Sequence, residues 1–550
     1  MTLKQNKNLK PTLVLKFGGT SIGKFPLEIC GQIIPELLEN YRVVVVCSAR
    51  STEDKAKGTT TLLMKAADVV IDSTVDISNS DIISEILNNH IEAGNKYIKS
   101  EVLRKEYEES VTAMCKKLEK LLHAAQVIDE VSPRTKDIII GTGEQLACVF
   151  VSCLLRDNRI SAQVVDLGKA IKKEFDSNSL DQSFFDYLSS RFGDLVMECG
   201  NNVPVVTGFF GPVPGSILYS IGRGYTDLTS ALIAVGIGAQ ELQIWKEVDG
   251  VFTADPRKVP QARLLNIITP EEASELTYYG SEVVHPFTME QVISHNIPIR
   301  IKNVKNPAGP GTVISPDLMS RPVSRSSSFI GSRSDSPQTQ STPELLLKNG
   351  YMLDMSRRHP TAVTIKDDIV ILNIHSNRKS VSHGFFEKIF STLNKYGIIV
   401  DLISTSEVHV SMALPSHVIG RFHGDVVRDL SKLGKVDIFK NMAILSLVGK
   451  QMRNMVGISS RLFTTLANVG VNIEMISQGA SEINISCVIS AEHAKRALIA
   501  VHECLLPKEN SLEDDPEAAK DLLKFREELA TSLNLSESQT PTLNSPPIFY

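Results

Sequence analysis

Lys16, Gly18, Gly19, Thr20 and Ser21 are residue types that handle a phosphate, and they stand together at the end of the apolar run Leu13-Val14-Leu15. Two adjacent residues without a Cβ let backbone N–H groups approach an anion closely. The positive end of a following helix would sit behind them, and the lysine adds a mobile point charge. The lysine precedes the glycines, so the P-loop spacing is absent; an ordinary strand-to-helix turn with a solvated lysine fits the same string. A second group is Gly222-Arg223-Gly224-Tyr225-Thr226-Asp227 ahead of an apolar helix. It sets an arginine able to grip an anion with two parallel hydrogen bonds beside a carboxylate able to meet a metal. The plain alternative has Thr226 or Asp227 capping the helix and Arg223 at the surface.

Other strings carry the same choice. Glu144 follows Gly141-Thr142-Gly143 after a strand expected at residues 137–140. There an acid in a first helical turn either faces a ligand ammonium or complements the helix dipole. Ser48 and Thr60 fall at a strand end and a helix start, where hydroxyls also serve as turns and caps. Trp245-Lys246 runs into Asp249-Gly250 and Asp255-Pro256-Arg257, which reads as turns or as nucleotide contacts. His285 before Pro286 reads first as a packed, hydrogen-bonded residue. Gly141-x-Gly143 and Gly236-x-Gly238 lack the third glycine and distal acid of a dinucleotide loop.

Holding such residues takes buried strands. Leu13-Val14-Leu15, an apolar run ending in Lys16, and the β-branched run of residues 42–47 are separated by residues 26–40 with apolar positions near a 3.6 period. Further strands are expected at 163–167, 203–210, 242–248 and 297–303. Runs of this kind between helices indicate parallel strands covered on both faces, with ligands at their carboxyl ends. Residues 80–131 read as a helical covering layer.

The chain has 550 residues, more than one core usually covers. With 42% hydrophobic and 22% charged residues and a net charge of -5, it lacks the electrostatic footprint of a nucleic-acid binder. Its eight cysteines show no C-x-x-C pair or metal-ligand spacing and read as reduced, mostly buried thiols. No signal stretch opens the chain and no apolar run reads as long enough to span a bilayer, so no membrane association and a cytoplasmic location are expected.

Composition divides the chain into an N-terminal tail (1–11), an α/β sheet domain (12–314) and a Ser/Arg/Pro-rich linker (315–345) expected to be disordered. Two repeats (365–440 and 441–506) and an acidic tail (507–550) with a helix near 516–532 follow. In the linker, Ser324, Ser328 and Ser336 sit in strings like those that protein kinases modify. The repeats are offset by 73 residues: Gly384 matches Gly457, Phe390 matches Phe463, Leu393 matches Leu466 and Gly397 matches Gly470. Val400-Asp401-Leu402-Ile403-Ser404 matches Ile473-Glu474-Met475-Ile476-Ser477, and each copy runs strand, helix, strand, strand.

The order and spacing of Lys16-Phe17-Gly18-Gly19-Thr20-Ser21, Gly143-Glu144, Gly222-Arg223-Gly224-Tyr225-Thr226-Asp227, Val248-Asp249-Gly250-Val251-Phe252-Thr253-Ala254-Asp255-Pro256-Arg257 and Val284-His285-Pro286 closely resemble the aspartokinases of the amino-acid kinase superfamily. The resemblance is to the monofunctional fungal type and covers about Thr12 to His502. It implies an α/β fold: a three-layer αβα sandwich with a mainly parallel sheet, followed by two α+β ferredoxin-like ACT domains. It further implies phosphorylation of the L-aspartate side-chain carboxylate with ATP and Mg²⁺, the first step toward threonine and methionine. Lys16, Gly18, Gly19, Thr20 and Ser21 would meet the phosphates; Trp245, Lys246, Asp249 and Arg257 would meet the rest of the nucleotide. Ser48, Thr60, Glu144, Arg223 and Thr226 would hold aspartate, with Glu144 at its ammonium and Arg223 at its α-carboxylate. Lys16, Glu144, Arg223 and Asp227 would be catalytic, with Asp227 a direct or water-mediated ligand of Mg²⁺ on the ATP phosphates.

Two departures from the bacterial pattern stand out. Tyr225-Thr226 stands where many bacterial members read Gly-Ser, and Glu282 where many carry a nucleotide-contacting lysine. In the repeats, the resemblance assigns an amino-acid effector to Ser382, Gly384, Phe385, Phe386, Val400, Asp401, Ser406 and Glu407, with Gln478 and Asn484 from the second copy. Threonine is the expected effector, because fungal-type members do not need aspartate for lysine, and a homo-oligomer through the ACT domains is expected. Two other readings stay open: a catalytically silent amino-acid sensor, and a kinase of this fold acting on another small amino acid.

Overall fold

The computed structural model describes residues 4–7, 10–51, 57–71, 81–173, 175, 180–211, 213, 216–217, 221, 224–278, 284–315, 360–376, 384–450, 452, 455–479 and 483–506. The linker from residue 316, the acidic tail and its expected helix, Arg223, Glu282 and Ser382 lie outside the described residues.

The first sheet has eight strands: β1 (Thr12–Phe17), β2 (Arg42–Cys47), β3 (Ala162–Val165), β4 (Val203–Thr207), β5 (Glu241–Lys246), β6 (Ile267–Ile268), β7 (Ile299–Asn303) and β8 (Thr312–Ile314). Their order is β3-β4-β2-β1-β5-β7-β8-β6, and every pairing is parallel except β7 with β8. Successive side chains alternate across a strand. β1 therefore sends Leu13, Leu15 and Phe17 to one face and Val14 to the other, while β2 divides Val43, Val45 and Cys47 from Val44 and Val46. Helices cover both faces, which is why these strands read as continuous apolar runs. The first face carries α2 (Thr59–Ile71) and α3 (Pro133–Asp157), with the helices Ile82–Tyr97 and Glu101–Val127 outside them. The second carries the helix Gln182–Met197, α4 (Tyr225–Gly236), α5 (Pro270–Tyr278) and α6 (Pro286–Ile293). The short α1 (Gly19–Lys24) leaves β1 through Gly18.

Two expectations are corrected by α3. Residues 137–140 are not a strand but the second turn of this 25-residue helix. Ser132 accepts a hydrogen bond from the Thr135 amide, and Pro133 follows in the first turn, so the helix starts before the isoleucines. Its apolar length does meet the requirement for a bilayer span, contrary to the expectation from the sequence. Its apolar window is 83% buried inside the protein, the environment of a core helix.

The second sheet contains β9 (Ala362–Ser376), β10 (Leu402–Ser406), β11 (His409–Pro415), β12 (Gly434–Val448), β13 (Met475–Ser477) and β14 (Asn484–Ser490), in the order β10-β11-β9-β12-β14-β13. The repeat is visible in α7 (Phe385–Lys395) and α8 (Ile458–Asn468), each preceded by a left-handed glycine, Gly384 at φ 77° and Gly457 at φ 83°. The two long strands serve both halves. Residues 369–376 of β9 pair with β11 and with the start of β12, whereas residues 362–366 pair with residues 444–448 beside β14. Asp368 and Asn441, both at positive φ, mark the register break between the halves. The segment preceding the first repeat thus supplies an edge strand to the second.

Candidate active site

Five elements converge at the carboxyl ends of the central strands. β1 presents Lys16, and α1 starts one residue past Gly18. Gly19 is required by close approach, since a Cβ there would lie 2.1 Å from the Ala49 carbonyl oxygen. Among the described residues a Cβ on Gly18 would meet no atom within 4 Å; it would project into the open cradle. Ser21 is buried and donates to Glu247 Oε1 at 2.6 Å, fixing α1 to the residue after β5. Thr20 is half-buried in the first turn of α1.

Lys16 reaches across to α4. Its Nζ lies 2.7 Å from Asp227 Oδ1, with side chains 12% and 14% exposed. One residue earlier, Thr226 Oγ1 accepts from Ser48 Oγ and donates to Glu144 Oε1, both at 3.1 Å. β2, α3 and α4 thus meet in a chain of two hydrogen bonds. Glu144 is 1% exposed, and among the described residues its Oε2 makes no hydrogen bond of normal geometry. Burial pushes its carboxyl up to about 7, against the opposing pull of the Thr226 and Tyr225 hydroxyls, the Phe209 amide and the Lys16 charge. A buried acceptor oxygen with no partner invites a donor from outside.

The helical glycines of α3 owe their place to packing. A Cβ on Gly141 would fall 2.4 Å from the Phe209 ring, and one on Gly143 would fall 3.0 Å from the Ala49 methyl. Glycine therefore lets α3 bring Glu144 against β2 and β4. Thr60 is half-buried in the first turn of α2. Its neighbour Thr59 turns inward, with Oγ1 3.2 Å from His90 Nε2. Burial, with the Arg50 charge, holds His90 down at about 3 and hence neutral.

The nucleotide stretch is dispersed. The Trp245 indole is 2% exposed, stacks on Phe17 at 5.9 Å and donates to Gln243 Oε1 at 3.2 Å. It is a core side chain rather than a platform on the cleft, because β5 lies in the middle of the sheet. Lys246 is half-buried at the end of β5. Asp249 Oδ1 accepts from Asn303 and Asn306 Nδ2, both at 3.1 Å. Arg257 is 89% exposed and closes a local turn onto Asp255 at 2.9 Å. His285 accepts from the Phe287 amide as the N-cap of α6, and with Gly224 and Leu228 it lines an apolar cavity beside α4.

Glu247 and Tyr225 belong to the arrangement but were missed by the sequence reading. Glu247 had a signal in its place one residue after Lys246 at a strand end; Tyr225 had one in its departure from the bacterial pattern. Among the described residues no group of three or more His, Cys, Asp or Glu could hold a metal ion. Asp227 is the carboxylate that would meet a divalent cation at this site, and such a sparse donor set suits Mg²⁺ that arrives on phosphates.

In the regulatory half, Asp401 pairs with Lys366 at 2.8 Å, and Asn484 donates to Glu275. Gln478 accepts from Ser459 at 3.2 Å, Phe385 is buried, and Phe386, Ser406 and Glu407 are exposed. The structure therefore spreads the expected effector residues over the start of α7, β10 and the end of β13.

Comparison with known proteins follows the same division. Residues 11–303 match the amino acid kinase family and residues 445–505 the ACT domain. The chain is 50% identical over 503 residues to an aspartokinase of Schizosaccharomyces pombe, covering 91% of this chain and 94% of that one. It is 47% identical over 519 residues to the aspartokinase of Saccharomyces cerevisiae, covering 92% and 95%. In fold it is similar to aspartokinase III of E. coli in complex with lysine and aspartate, with a TM-score of 0.67 at 23% identity, covering 90% of this chain and 100% of that one. On these grounds the chain belongs to the aspartokinases of the amino acid kinase family, the fungal enzymes in particular.

Proposed function

We propose that this aspartate kinase transfers the γ-phosphoryl group of ATP to the side-chain carboxylate of L-aspartate, giving 4-phospho-L-aspartate and ADP. One carboxylate oxygen forms the new P–O bond as the bond to the ADP oxygen breaks. The acceptor is already ionised at neutral pH, so no general base is needed, and positioning plus charge neutralisation carry the step. Lys16 and the Gly18–Gly19 cradle, with Thr20 and Ser21, receive the phosphates. Lys246, Asp249 and Arg257 serve the rest of the nucleotide, with Trp245 contributing its backbone. Mg²⁺ on the nucleotide would neutralise phosphate charge, with Asp227 as its protein ligand.

The single observation that carries this reading is Glu144: a buried carboxylate with Oε1 held by Thr226 and, among the described residues, no hydrogen bond that saturates Oε2, close enough to Lys16 to feel its charge. That oxygen suits the ammonium of an amino acid. Ser48 and Thr226 are joined to Glu144 by hydrogen bonds, and by the motifs shared with the family Thr60 joins them and Arg223 takes the α-carboxylate. The experiment is ADP release over a panel of amino acids, with hydroxylamine trapping the acyl phosphate. ADP and hydroxamate should form with L-aspartate and not with L-glutamate. ADP release independent of aspartate, or none, contradicts the reading.

We further infer that the ACT pair binds threonine as a feedback inhibitor, that self-association runs through this pair, and that the reaction opens the route to threonine and methionine. The half-exposed Phe386, Phe390 and Ile403 on the regulatory surface support an association face. Threonine in excess that leaves the initial rate at low aspartate unchanged would remove the feedback assignment.

A further inference from the structure

One face of α5 carries a row of contacts between the kinase domain and the regulatory sheet. Glu272, Glu275 and Tyr278 stand three residues apart and so share that face. Glu272 Oε1 accepts from Thr361 Oγ1 at 2.6 Å and from the Lys450 amide at 3.0 Å. Glu275 accepts from Asn484, and the Tyr278 hydroxyl donates to the Val400 carbonyl at 3.4 Å. Asn484 and Val400 are effector residues of the second and first repeats. Each repeat is thus tied to the same helix.

Lys366, which the sequence reading did not single out, lies at the end of this row. Its ammonium lies 5.1 Å from the centre of the Tyr278 ring and 2.8 Å from Asp401 Oδ2. The Asp401 side chain is only 4% exposed, whereas that of Lys366 is 24% exposed. Among the expected effector residues Asp401 is a buried carboxylate, and it offers an anion to an incoming ammonium. An ammonium already stands there, carried by β9 and covered by an aromatic ring from α5.

We propose that Lys366 is a tethered competitor: its ammonium holds the effector's ammonium position at Asp401, and the Tyr278 ring keeps it there. An amino-acid effector binds only by displacing it. The inference rests on the reading of Asp401 as an effector residue. Two ammonium groups cannot share one buried carboxylate without like-charge repulsion and an uncompensated cation. The longer, partly exposed lysine can swing into water, and its departure removes the charge from the Tyr278 ring. α5 packs on α6, and α6 on α4, which carries Thr226 and Asp227. Displacement of Lys366 therefore acts on the helix row that ends at the active site. Such a device makes the effector prefer one arrangement over the other, the requirement for feedback.

The test is direct binding of threonine, methionine and lysine by calorimetry to the full chain and to Lys366→Met, Tyr278→Leu and Asp401→Asn. Aspartate kinase activity without added threonine, methionine or lysine checks that each variant is folded, and Lys366→Gln replaces Lys366→Met if the latter does not fold. Loss of a charge-assisted competitor should tighten binding of the effector by about tenfold in Lys366→Met, less in Tyr278→Leu, and Asp401→Asn should abolish it. The inhibitory concentration should fall in parallel. An unchanged or weaker Kd in Lys366→Met overturns the competitor while leaving the effector site standing. Absence of binding to the wild-type chain overturns the effector reading itself, and the proposal with it.

Discussion

Glu144 gives the most quantitative expectation. Burial raises its carboxyl from the usual 4.5 to about 7, so the empty site holds it about one-tenth ionised at pH 6 and about nine-tenths at pH 8. Only the ionised form pairs with the aspartate ammonium. At saturating nucleotide, kcat/KM for aspartate should therefore rise about tenfold from pH 6 to pH 8, with kcat changing less because the bound ammonium keeps the carboxylate ionised. Glu144→Gln should flatten the profile and lower kcat/KM by at least about 100-fold, the cost of removing one partner of a buried charge pair.

The same group acts on stability with a definite sign. A carboxyl raised in the folded state gives stability that is complete below pH 4.5 and lost as pH rises through about 7. Wild type should lose on the order of 2–3 kcal/mol relative to Glu144→Gln between pH 5 and pH 8. Comparing the two pH values cancels whatever the buried amide itself costs. Thermal unfolding of both proteins at both pH values measures the difference. A wild-type kcat/KM that is flat from pH 6 to pH 8, or a stability difference that does not move with pH, refutes the reasoning.

Removing the preorganised charge in Lys16→Ala should lower turnover by at least about 100-fold in a chain with unchanged melting temperature, and near-normal turnover would remove Lys16 from the phosphate site. The glycine pair separates fold from ligand. Gly18→Ala adds a methyl that touches no protein atom and should raise KM for ATP while leaving stability intact. Gly19→Ala sets its methyl against the Ala49 carbonyl and should destabilise the domain; equal stability of the two variants contradicts this placement.

What was legible in the sequence followed from local pattern. β1 and β2 read as strands because both faces are covered, so that Leu13-Val14-Leu15 and Val43-Val44-Val45-Val46-Cys47 are unbroken apolar runs. The repeat read from matched glycines and apolar positions. Residues 137–140 misled because three isoleucines look like a buried strand, and the start signal at Ser132-Pro133 was outweighed by β-branched composition. Trp245 misled for a different reason. It shares a strand with Glu241 and Gln243, and only the sheet order, with β7 beside β5, shows that Arg300 pairs with Glu241 and that the indole closes the same buried row. The Lys16–Asp227 pair, the Ser48–Thr226–Glu144 chain and the shared β9 each join residues far apart in sequence. Strand pairing decides them, and no window of sequence contains that information.

The most direct measurement is a crystal structure of the chain with L-aspartate and ADP with Mg²⁺. The expected result places the aspartate ammonium on the free oxygen of Glu144, the terminal phosphate over Gly18 and Gly19, and Lys16 turned from Asp227 to the phosphates. Aspartate bound away from Glu144, or phosphates bound elsewhere with the Lys16–Asp227 pair still closed, would contradict the account.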